Sequence, residues 1–506
     1  MQLQKIYFDE FWEEQGENCI DDITWNDLEM DKVFSHINYT KSYAGEQVLY
    51  KRLRELEVDR EWIAFEEKIC FLEIHEKARR KIEKWLNSIG KKSEKYYLPG
   101  FLHDTDLWII KNGFVFHILQ GLLCLCIIML LSMKDSIFLT SLLIMACVNL
   151  VVYLRTKHKY EVYLHSLGSV LQLINFCKRV LADKEIQTVF GEKKVEDALK
   201  SLKRVSKGIG KVALRKNISR SGDPMALFYD YILGITLYDI SVFNHIMKTL
   251  DKKQSEVVLL YQFAGEIDMI NAVATFREKQ AQVCQPGFTE EWKMEACGLY
   301  HPLLKDAVCN DFSMNGRMIL SGANASGKST FMKAVAVNVI LAQTIHTCTA
   351  DKMELPALYV MTSMSLRDDI LTGESYYIRE VKYLKRMLDK ADAGIPVLCV
   401  IDEILRGTNT GERLAASEAI LKYFTDKMCF VLVASHDLEL LNKMQKDYAC
   451  YYFDSQVGEK DIYFDYRLHK GMGGKSNAIA LLTLLGYPEH IVKTARELMK
   501  EHYENR

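Results

Sequence analysis

The stretch "SGANASGKST" at residues 321–330 decides the fold of the second half of this chain. Within it, residues 322–329 fit the pattern G-x-x-x-x-G-K-[ST], in which a glycine-rich loop holds phosphate groups. The strand-like "RMIL" precedes the loop and the helix-like "FMKAVAVNVILAQ" follows it, which is the context that the pattern requires. A glycine-rich turn without function rarely meets all of these constraints, so the stretch predicts a nucleotide-phosphate site.

The residue types of this loop predict a role for each position. Gly322 and Gly327 let the backbone pass close to phosphate oxygens, and the start of the following helix adds amide donors. We expect Lys328 to reach the β- and γ-phosphates and the Ser329 hydroxyl to bind Mg²⁺. The predicted nucleotide-binding residues of the loop are Gly322, Ala323, Asn324, Ala325, Ser326, Gly327, Lys328, Ser329 and Thr330.

Two acidic residues follow the next long apolar run, in "VLCVIDEILRGTNTGER" at 397–413. A carboxylate at the C-terminal end of a buried strand can hold Mg²⁺ through water, and the next carboxylate can take a proton from attacking water. We therefore predict Asp402 as a Mg²⁺ ligand and Glu403 as the general base. The alternative is that both acids only cap a strand end.

A histidine follows another apolar run, in "VLVASHDLEL" at 431–440. Because this run is a predicted strand of the same sheet, His436 is predicted to contact the γ-phosphate or the attacking water. From about residue 290, strand-like runs alternate with helical stretches, which is typical of an α/β fold with a mostly parallel sheet. The strand-like runs are 317–320, 396–401, 429–434 and 448–453.

Two apolar runs, 114–133 and 137–154, interrupt an otherwise helical N-terminal half. Neither contains Asp, Glu, Lys or Arg, and each has about the length that crosses a ~30 Å hydrocarbon layer. Lys111 and Arg155 flank the pair, which predicts that both outer ends lie on the cytoplasmic side. We predict a membrane hairpin with both large parts of the chain cytoplasmic. A re-entrant hairpin and a helical hairpin buried in a soluble core are the alternatives.

A basic pattern lies in the segment 193–216. Its basic residues recur at steps of three or four and form one face if a helix continues through Gly208 and Gly210. Such a face can contact a nucleic-acid backbone or anionic lipid, or can simply be solvated. Since the formal net charge of the chain is only −2, any nucleic-acid contact requires a local basic surface of this kind. The residues concerned are Lys200, Arg204, Lys207, Lys211 and Arg215.

The 13 cysteines are scattered, without a CxxC pair or a Cys/His cluster at metal-binding spacing. Cys399 and Cys429 lie in apolar runs and are predicted to be buried thiols in a reducing compartment. The N-terminus, "MQLQKIYFDEFWEEQ", is acidic and aromatic and does not fit a secretory signal.

Three stretches together resemble the ATPase domain of the MutS mismatch-repair family: "SGANASGKST", "IDEILRGTNTGER" (401–413) and "ASHDLEL" (434–440). Asn324 in the loop and "RGTNT" after the acidic pair are the distinguishing features. Transporter-type ABC ATPases share the loop and the acidic pair but carry an LSGGQ-like signature, which this sequence lacks. "YHPLL" (300–304) resembles the family's entry into the ATPase domain.

The resemblance implies ATP and Mg²⁺ as cofactors, ATP hydrolysis, DNA as a partner and a homodimer with composite ATP sites. The segment 362–381 is similar to the family segment that places a serine at a helix start, so Ser375 is expected to approach the nucleotide of a second subunit. Glu403, Lys328, His436 and Asn324 are the implied catalytic residues. The sequence does not identify the adenine pocket, for which the family's layout suggests only the positions of His301 and Val308.

The resemblance also divides the chain. It implies a helical core/lever segment at 1–112, the hairpin at 113–155, a second helical segment at 156–284 and an ATPase domain with a C-terminal helical dimerisation segment at 285–506. The chain begins directly with lever-like helices, without the mismatch-reading domain of the family, and Ala323 replaces the proline of the family's loop. We therefore do not expect mismatch recognition in the usual way. The alternative function is an ATP-driven switch that acts on a membrane or a protein partner without DNA.

Overall fold

A six-stranded sheet surrounds the phosphate loop in the computed structural model of the chain. The strand order is β10-β9-β4-β8-β7-β6, in which only the β9–β10 pair is antiparallel. A smaller four-stranded sheet has the order β1-β5-β2-β3 and was not predicted. The strands are β1 (Gly287–Phe288), β2 (Met294–Leu299), β3 (Asn310–Met314), β4 (Arg317–Gly322), β5 (Lys352–Leu355), β6 (Tyr359–Ser363), β7 (Val397–Asp402), β8 (Cys429–Ala434), β9 (Ala449–Val457) and β10 (Ile462–Lys470).

The central strands β4, β7 and β8 are buried because their sequences are nearly continuous apolar runs, as parallel strands covered on both faces require. Cys399 and Cys429 are buried within β7 and β8, and all 13 cysteines are free thiols. The mostly parallel sheet predicted from the sequence is therefore confirmed. The structure describes residues 3–10, 19–56, 61–210, 231–323, 325–364, 376–457, 462–473, 479, 482–483 and 485–504.

The chain forms two compact units. The helical unit comprises Met1–Glu14, Asn38–Lys51 and Glu61–Thr275, and the sheet unit comprises Gln15–Ile37, Arg52–Arg60 and Phe276–Arg506. The sheet unit thus begins nine residues before the predicted boundary at 285 and also takes two segments from the predicted 1–112 region. Sequence patterning does not reveal this exchange, because the two segments are helical like their neighbours.

The sheet unit also contains helices. They are Asp22–Asp27, Met30–Ile37, Lys328–Ile345, Tyr376–Asp392, Thr410–Thr425, Leu438–Met444 and Glu489–Glu504. The N-terminal segment joins this unit through specific contacts: the buried Asp27 carboxylate accepts hydrogen bonds from Thr362 Oγ1 at 2.8 Å and from Met364 N at 2.9 Å. These contacts secure the helix Asp22–Asp27 to the end of β6.

The other helices begin in the helical unit. They are Ile6–Glu10, Tyr43–Arg54, Trp62–Ile74, Glu76–Ile89, Leu98–His103, Phe114–Met133, Ser136–Ala182, Lys184–Phe190, Lys193–Ser201, Tyr238–Asp251 and Gln254–Lys279, with shorter helical segments at 203–210 and 231–236. Asp268 lies buried in the helix Gln254–Lys279 and accepts hydrogen bonds from Lys41 N and Ser42 N. Burial raises the pKa of this carboxyl group to about 6, against the effect of those hydrogen bonds.

Three helical spans are long and apolar enough to cross a membrane by length and composition: Phe114–Met133, Ser136–Thr156 and Gln254–Lys279. The third is 78% buried within the protein and belongs to the core, whereas the first two are each only 11% buried. Those two form the predicted hairpin, joined at Lys134 and Asp135. A membrane location remains a prediction, but the apolar side chains of the hairpin are exposed rather than packed in a soluble core.

The basic residues between 200 and 215 do not lie on one continuous helix. The helix Lys193–Ser201 ends before Leu202, and a second helical segment runs from 203 to 210. Lys200 Nζ donates to Asp197 at 2.8 Å, whereas Arg204 and Lys207 lie on the second segment. Lys211 and Arg215 fall outside the described residues. The second segment continues through Gly208 and Gly210, as the prediction required, but the turn at Leu202 separates Lys200 from it. The single basic face therefore stays a prediction.

Candidate nucleotide site

The loop after β4 has the backbone conformation that a phosphate cradle requires. Gly322 has a φ of +139°, and a Cβ atom there would lie 2.7 Å from the carbonyl oxygen of Phe453. Gly327 has a φ of +108° and immediately precedes the helix Lys328–Ile345. The positive φ therefore disfavours any residue other than glycine at both positions. At Gly322, a side chain would also clash with the neighbouring strand β9.

Lys328 is held inside the loop. Its Nζ donates to the carbonyl oxygens of Gly322 at 2.8 Å and Ala323 at 2.9 Å. Burial lowers the pKa of this ammonium group, while the negative charges of Asp402 and Glu403 oppose the change. The cation therefore lies at the centre of the loop, with two carboxylates near it.

Ser329 and Asp402 meet at the mouth of the loop. Ser329 Oγ donates to Asp402 Oδ2 at 2.6 Å, although 73 residues separate them. Asp402 is the last residue of β7, and Ser329 is the second residue of the helix that follows β4. A hydroxyl and a carboxylate are oxygen ligands of the kind that Mg²⁺ prefers, so this pair suits the ion that accompanies a nucleoside triphosphate.

Glu403 and His436 also lie together at this sheet edge. Glu403 has a φ of 65°, and its amide donates to Ala434 O, at the end of β8, at 3.0 Å. His436 Nε2 donates to Glu403 Oε1 at 2.9 Å. The structure thus pairs His436 with the predicted base, rather than leaving it directed only at a phosphate or water.

Arg406 completes the surroundings of the acidic pair and was not predicted as a site residue. Its Nε lies 2.9 Å from Glu403 Oε2, and its Nη2 donates to Asp402 O at 2.6 Å. Burial would raise the pKa of Glu403, but the hydrogen bond from His436 and the charges of Arg406 and Lys328 lower it overall. Glu403 is therefore an ionised carboxylate at neutral pH, as a proton acceptor must be.

The loop that carries Arg406 is fixed by a buried acid. Glu380, which is 1% exposed, accepts a hydrogen bond from Arg406 N at 3.1 Å. Burial raises the pKa of Glu380, against hydrogen bonds from the backbone of this loop. The sequence "RGTNT" indicates that this loop belongs to the functional site. No local sequence pattern links Glu380 to the loop.

A cavity adjoins the phosphate loop. Gly327, Thr330, His301, Val308 and Tyr466 are among its lining residues. Burial, together with the charge of a nearby lysine, lowers the pKa of His301 to about 4, so the imidazole is neutral at physiological pH. The two positions expected from the family's layout therefore line one cavity, and Tyr466 on β10 adds an aromatic ring that the sequence did not indicate.

The remaining predicted residues divide into two groups. Ser326 lies in the loop and Thr330 in the first turn of the helix after it, and the buried Ser326 hydroxyl has no hydrogen-bond partner among the described residues. Asn324 and Ser375 fall outside the described residues, so their predicted roles rest on the sequence alone.

These observations fit a Mg²⁺–nucleotide complex. The loop is closed to Cβ atoms at two glycines, and its single buried ammonium group contacts only carbonyl oxygens of the loop among the hydrogen bonds described. The Ser329 hydroxyl and the Asp402 carboxylate lie at the open side of the loop, and a partly apolar cavity adjoins it. The residues that would hold the ion are Ser329 and Asp402.

Residues 318–502 match the family model described as MutS domain V. The chain is 28% identical over 269 residues to the DNA mismatch repair protein MutS of Pseudothermotoga lettingae, covering 51% of this chain and 33% of that protein. Residues 318–502 therefore relate this part of the chain to the MutS family. The chain is also similar to MutS of Halalkalibacterium halodurans, with 30% identity covering 48% of this chain and 29% of the relative.

A third relative, the DNA mismatch repair protein MutS 2 of Haloarcula marismortui, is 32% identical over 39% of this chain and 21% of its own length. The chain thus spans at most about a third of the length of these MutS relatives. MutS proteins are in general ATPases that use Mg²⁺ and act as dimers on DNA.

Proposed function

We propose that this chain is a Mg²⁺-dependent ATPase that works as a dimer with composite ATP sites and is tethered to a membrane by residues 114–154. One observation carries the proposal. Lys328, Ser329, Asp402, Glu403 and His436, from three separate stretches of sequence, meet at the C-terminal edge of β4, β7 and β8. Ligands of open α/β sheets bind at this edge.

The arrangement assigns a role to each side chain in hydrolysis. Water attacks the γ-phosphorus, the bond from phosphorus to the ADP oxygen breaks, and Glu403 accepts the proton that the water loses. Lys328 moves from its loop carbonyls to the β- and γ-phosphates, whose charge it partly neutralises. His436 keeps the Glu403 carboxylate oriented. The Mg²⁺ ion, when bound, neutralises charge on the phosphate oxygens.

The purified full-length chain in detergent or nanodiscs provides the direct test. We expect release of inorganic phosphate from ATP when Mg²⁺ is present and none when EDTA is added. We also expect the molar mass from light scattering to double on adding ATP to the slowly hydrolysing Glu403→Gln variant. A chain that stays monomeric and releases no phosphate contradicts the proposal.

The hairpin supports the membrane part of the proposal. Each apolar span of about 20 residues is ~30 Å long as a helix, which matches the hydrocarbon layer. We expect the chain to stay in the membrane pellet after alkaline carbonate extraction. An Ile128→Arg, Leu143→Arg variant should lose this resistance, since an arginine within an apolar span costs up to about 3 kcal/mol on insertion scales. Ile63→Arg, at a position 80% exposed in the helical unit, is the matched control.

DNA binding is part of the proposal because of the family, and the exposed Arg204 and Lys207 are the described residues to test it. For a phosphate-contacting surface, the slope of log K against log salt should become less negative by about 2 in an Arg204→Glu, Lys207→Glu variant. Arg80→Glu, Lys84→Glu, on another helix of the same unit, is the matched control. Affinity that does not depend on salt would exclude this surface.

The second candidate function is an ATP-driven switch on a membrane or protein partner without DNA, favoured by the exposed apolar hairpin. In that case, the same basic residues would contact anionic lipid. Liposome flotation distinguishes the two functions. Under the second candidate, the Arg204→Glu, Lys207→Glu variant binds anionic vesicles less tightly, and neither protein binds DNA at low salt.

A further inference from the structure

A short apolar segment outside the hairpin, residues 231–238, packs against the hairpin within the helical unit. Its sequence, "YILGITLY", contains no charged residue, although aspartates stand on both sides of it. Residues 231–236 are helical, Leu237 adopts a left-handed conformation with a φ of 50°, and a new helix starts at Tyr238. The segment is therefore a broken helix, whose break leaves backbone carbonyl groups without partners from a continuing helix.

Two amide side chains of the hairpin bind the carbonyl groups at this break. Asn149 Nδ2 donates to Ile235 O at 2.7 Å, and Gln120 Nε2 donates to Thr236 O at 3.0 Å. Asn149 is fully buried despite lying in an apolar run. Two of the few strongly polar side chains in the hairpin are thus used to satisfy this segment.

The three preceding carbonyl groups also have donors. Thr236 Oγ1 donates to Ile232 O at 2.9 Å and to Leu233 O at 3.2 Å, and Leu237 N donates to Gly234 O at 3.2 Å. All five carbonyl groups from 232 to 236 are therefore hydrogen-bonded within the protein. In water, solvent molecules could donate hydrogen bonds to these carbonyl groups instead. In hydrocarbon, each carbonyl group without a donor costs several kcal/mol.

The backbone of the segment approaches the hairpin closely at Gly234. A Cβ atom there would lie 2.9 Å from a ring carbon of the buried Tyr153. Leu233 and Leu237 are buried beside it. Small residues that allow close backbone approach are typical of helix contacts inside membranes.

The opposite side of the segment is apolar and exposed. Tyr231, Ile232 and Tyr238 are 59%, 41% and 42% exposed. Gln120 lies six residues into its helix, which places the contact about 9 Å from the outer end of the hairpin. This is the depth at which interfacial segments bury their apolar face, and tyrosine is enriched at that level.

We propose that residues 231–238 form a third membrane element, which enters the boundary between headgroups and acyl chains beside the hairpin, with Tyr231, Ile232 and Tyr238 facing lipid. The inference rests on the membrane tether of the proposed function. It commits to lipid as the occupant of this face, because the face continues the exposed apolar surface of the hairpin.

Site-specific photo-cross-linking in the full-length chain tests the proposal. p-Benzoylphenylalanine is placed singly at Tyr231 or Ile232, and the protein is reconstituted with an alkyne-tagged phosphatidylcholine. Ile128 in the hairpin is the positive control, and Ile63, which is 80% exposed, is the negative control. We expect lipid adducts at Tyr231 and Ile232 within about threefold of the yield at Ile128, since both depths contact acyl chains, and background yield at Ile63.

The outcomes separate this inference from the tether itself. Adducts at Ile128 without adducts at Tyr231 or Ile232 overturn the inference and leave the tether intact. The absence of adducts at Ile128 overturns the tether. Adducts from Tyr231 to a second copy of the chain instead of lipid would show that this face is a protein interface, which also overturns the inference.

A hairpin variant tests why the segment stays there. Asn149→Leu leaves Ile235 O without its donor, so we expect the lipid-adduct yield at Tyr231 to fall several-fold while the yield at Ile128 stays constant. Equal adduct yields in the two backgrounds would contradict the role of the amide in holding the segment at the membrane.

Discussion

Replacing Glu403 with Gln is expected to lower the rate of ATP hydrolysis by about 10²–10⁴-fold, the range that a positioned general base contributes. Nucleotide binding should persist, because Glu403 lies at the strand end and not in the loop that holds phosphate. Glutamine keeps the size of the side chain and can accept a hydrogen bond from His436, but it cannot accept a proton. Single-turnover phosphate release and titration with a fluorescent ATP analogue measure the two effects separately.

The control for this variant is Glu439→Gln, which changes an exposed acid on the helix Leu438–Met444 and should leave turnover unchanged. Hydrolysis near the original rate in Glu403→Gln would remove Glu403 from the role of base. Loss of nucleotide binding together with turnover would instead indicate that the carboxylate shapes the site.

The pH dependence of hydrolysis follows from the surroundings of Glu403. Despite burial, the hydrogen bond from His436 and the nearby cations lower the pKa of this carboxyl group below its ordinary value of 4.5. A base is active when ionised, so activity is retained as pH falls until it passes through that lowered pKa. Removing the hydrogen bond with His436→Ala raises the pKa of Glu403, and the acid limb of the kcat/KM profile should move to higher pH. An acid limb that stays in place would contradict the coupling of these two side chains.

Replacing Lys328 with Ala is expected to weaken ATP binding by about ten- to a hundredfold, since hydrogen bonds to charged groups contribute about 1.5–3 kcal/mol each. The buried Lys328 ammonium group donates hydrogen bonds to Gly322 O and Ala323 O in the loop. When ATP binds, phosphate oxygens are expected to replace these carbonyl oxygens as its acceptors. Equilibrium binding of a fluorescent ATP analogue in the presence of Mg²⁺ measures the loss.

Lys385→Ala is the matched control, because Lys385 is an exposed lysine that pairs with Asp389 on another helix of the sheet unit. The melting temperature of each variant without nucleotide shows whether the fold survives. A folded Lys328→Ala protein that binds ATP with unchanged affinity would refute the placement of the phosphates in this loop.

The features predictable from sequence are those whose signal lies within one short stretch. The loop at 322–329, the acidic pair 402–403 and the two apolar runs each carry a local pattern, and the structure places a strand end or a helix at each. The contact of Ser329 with Asp402 also follows, because the C-terminal ends of neighbouring parallel strands meet at one edge.

The features that sequence patterning missed depend on contacts between distant segments. Asp27 belongs to the sheet unit through hydrogen bonds to Thr362 and Met364, more than 300 positions away. Glu380 supports the Arg406 loop, and Gln120 and Asn149 satisfy a broken helix beyond residue 230. In each case a polar side chain looks unremarkable in its own stretch, and only the fold reveals which backbone group it satisfies.

The second arm of the hairpin does not end where its apolar part ends. One helix runs without a proline from Ser136 to Ala182, a rod of 47 residues and ~70 Å. Its far part packs in the core of the helical unit, where Leu173, Phe176 and Val180 are buried. In the proposed membrane tether, this single helix connects the lipid to that core, so a change of its tilt in a thinner bilayer would reach the packed residues directly.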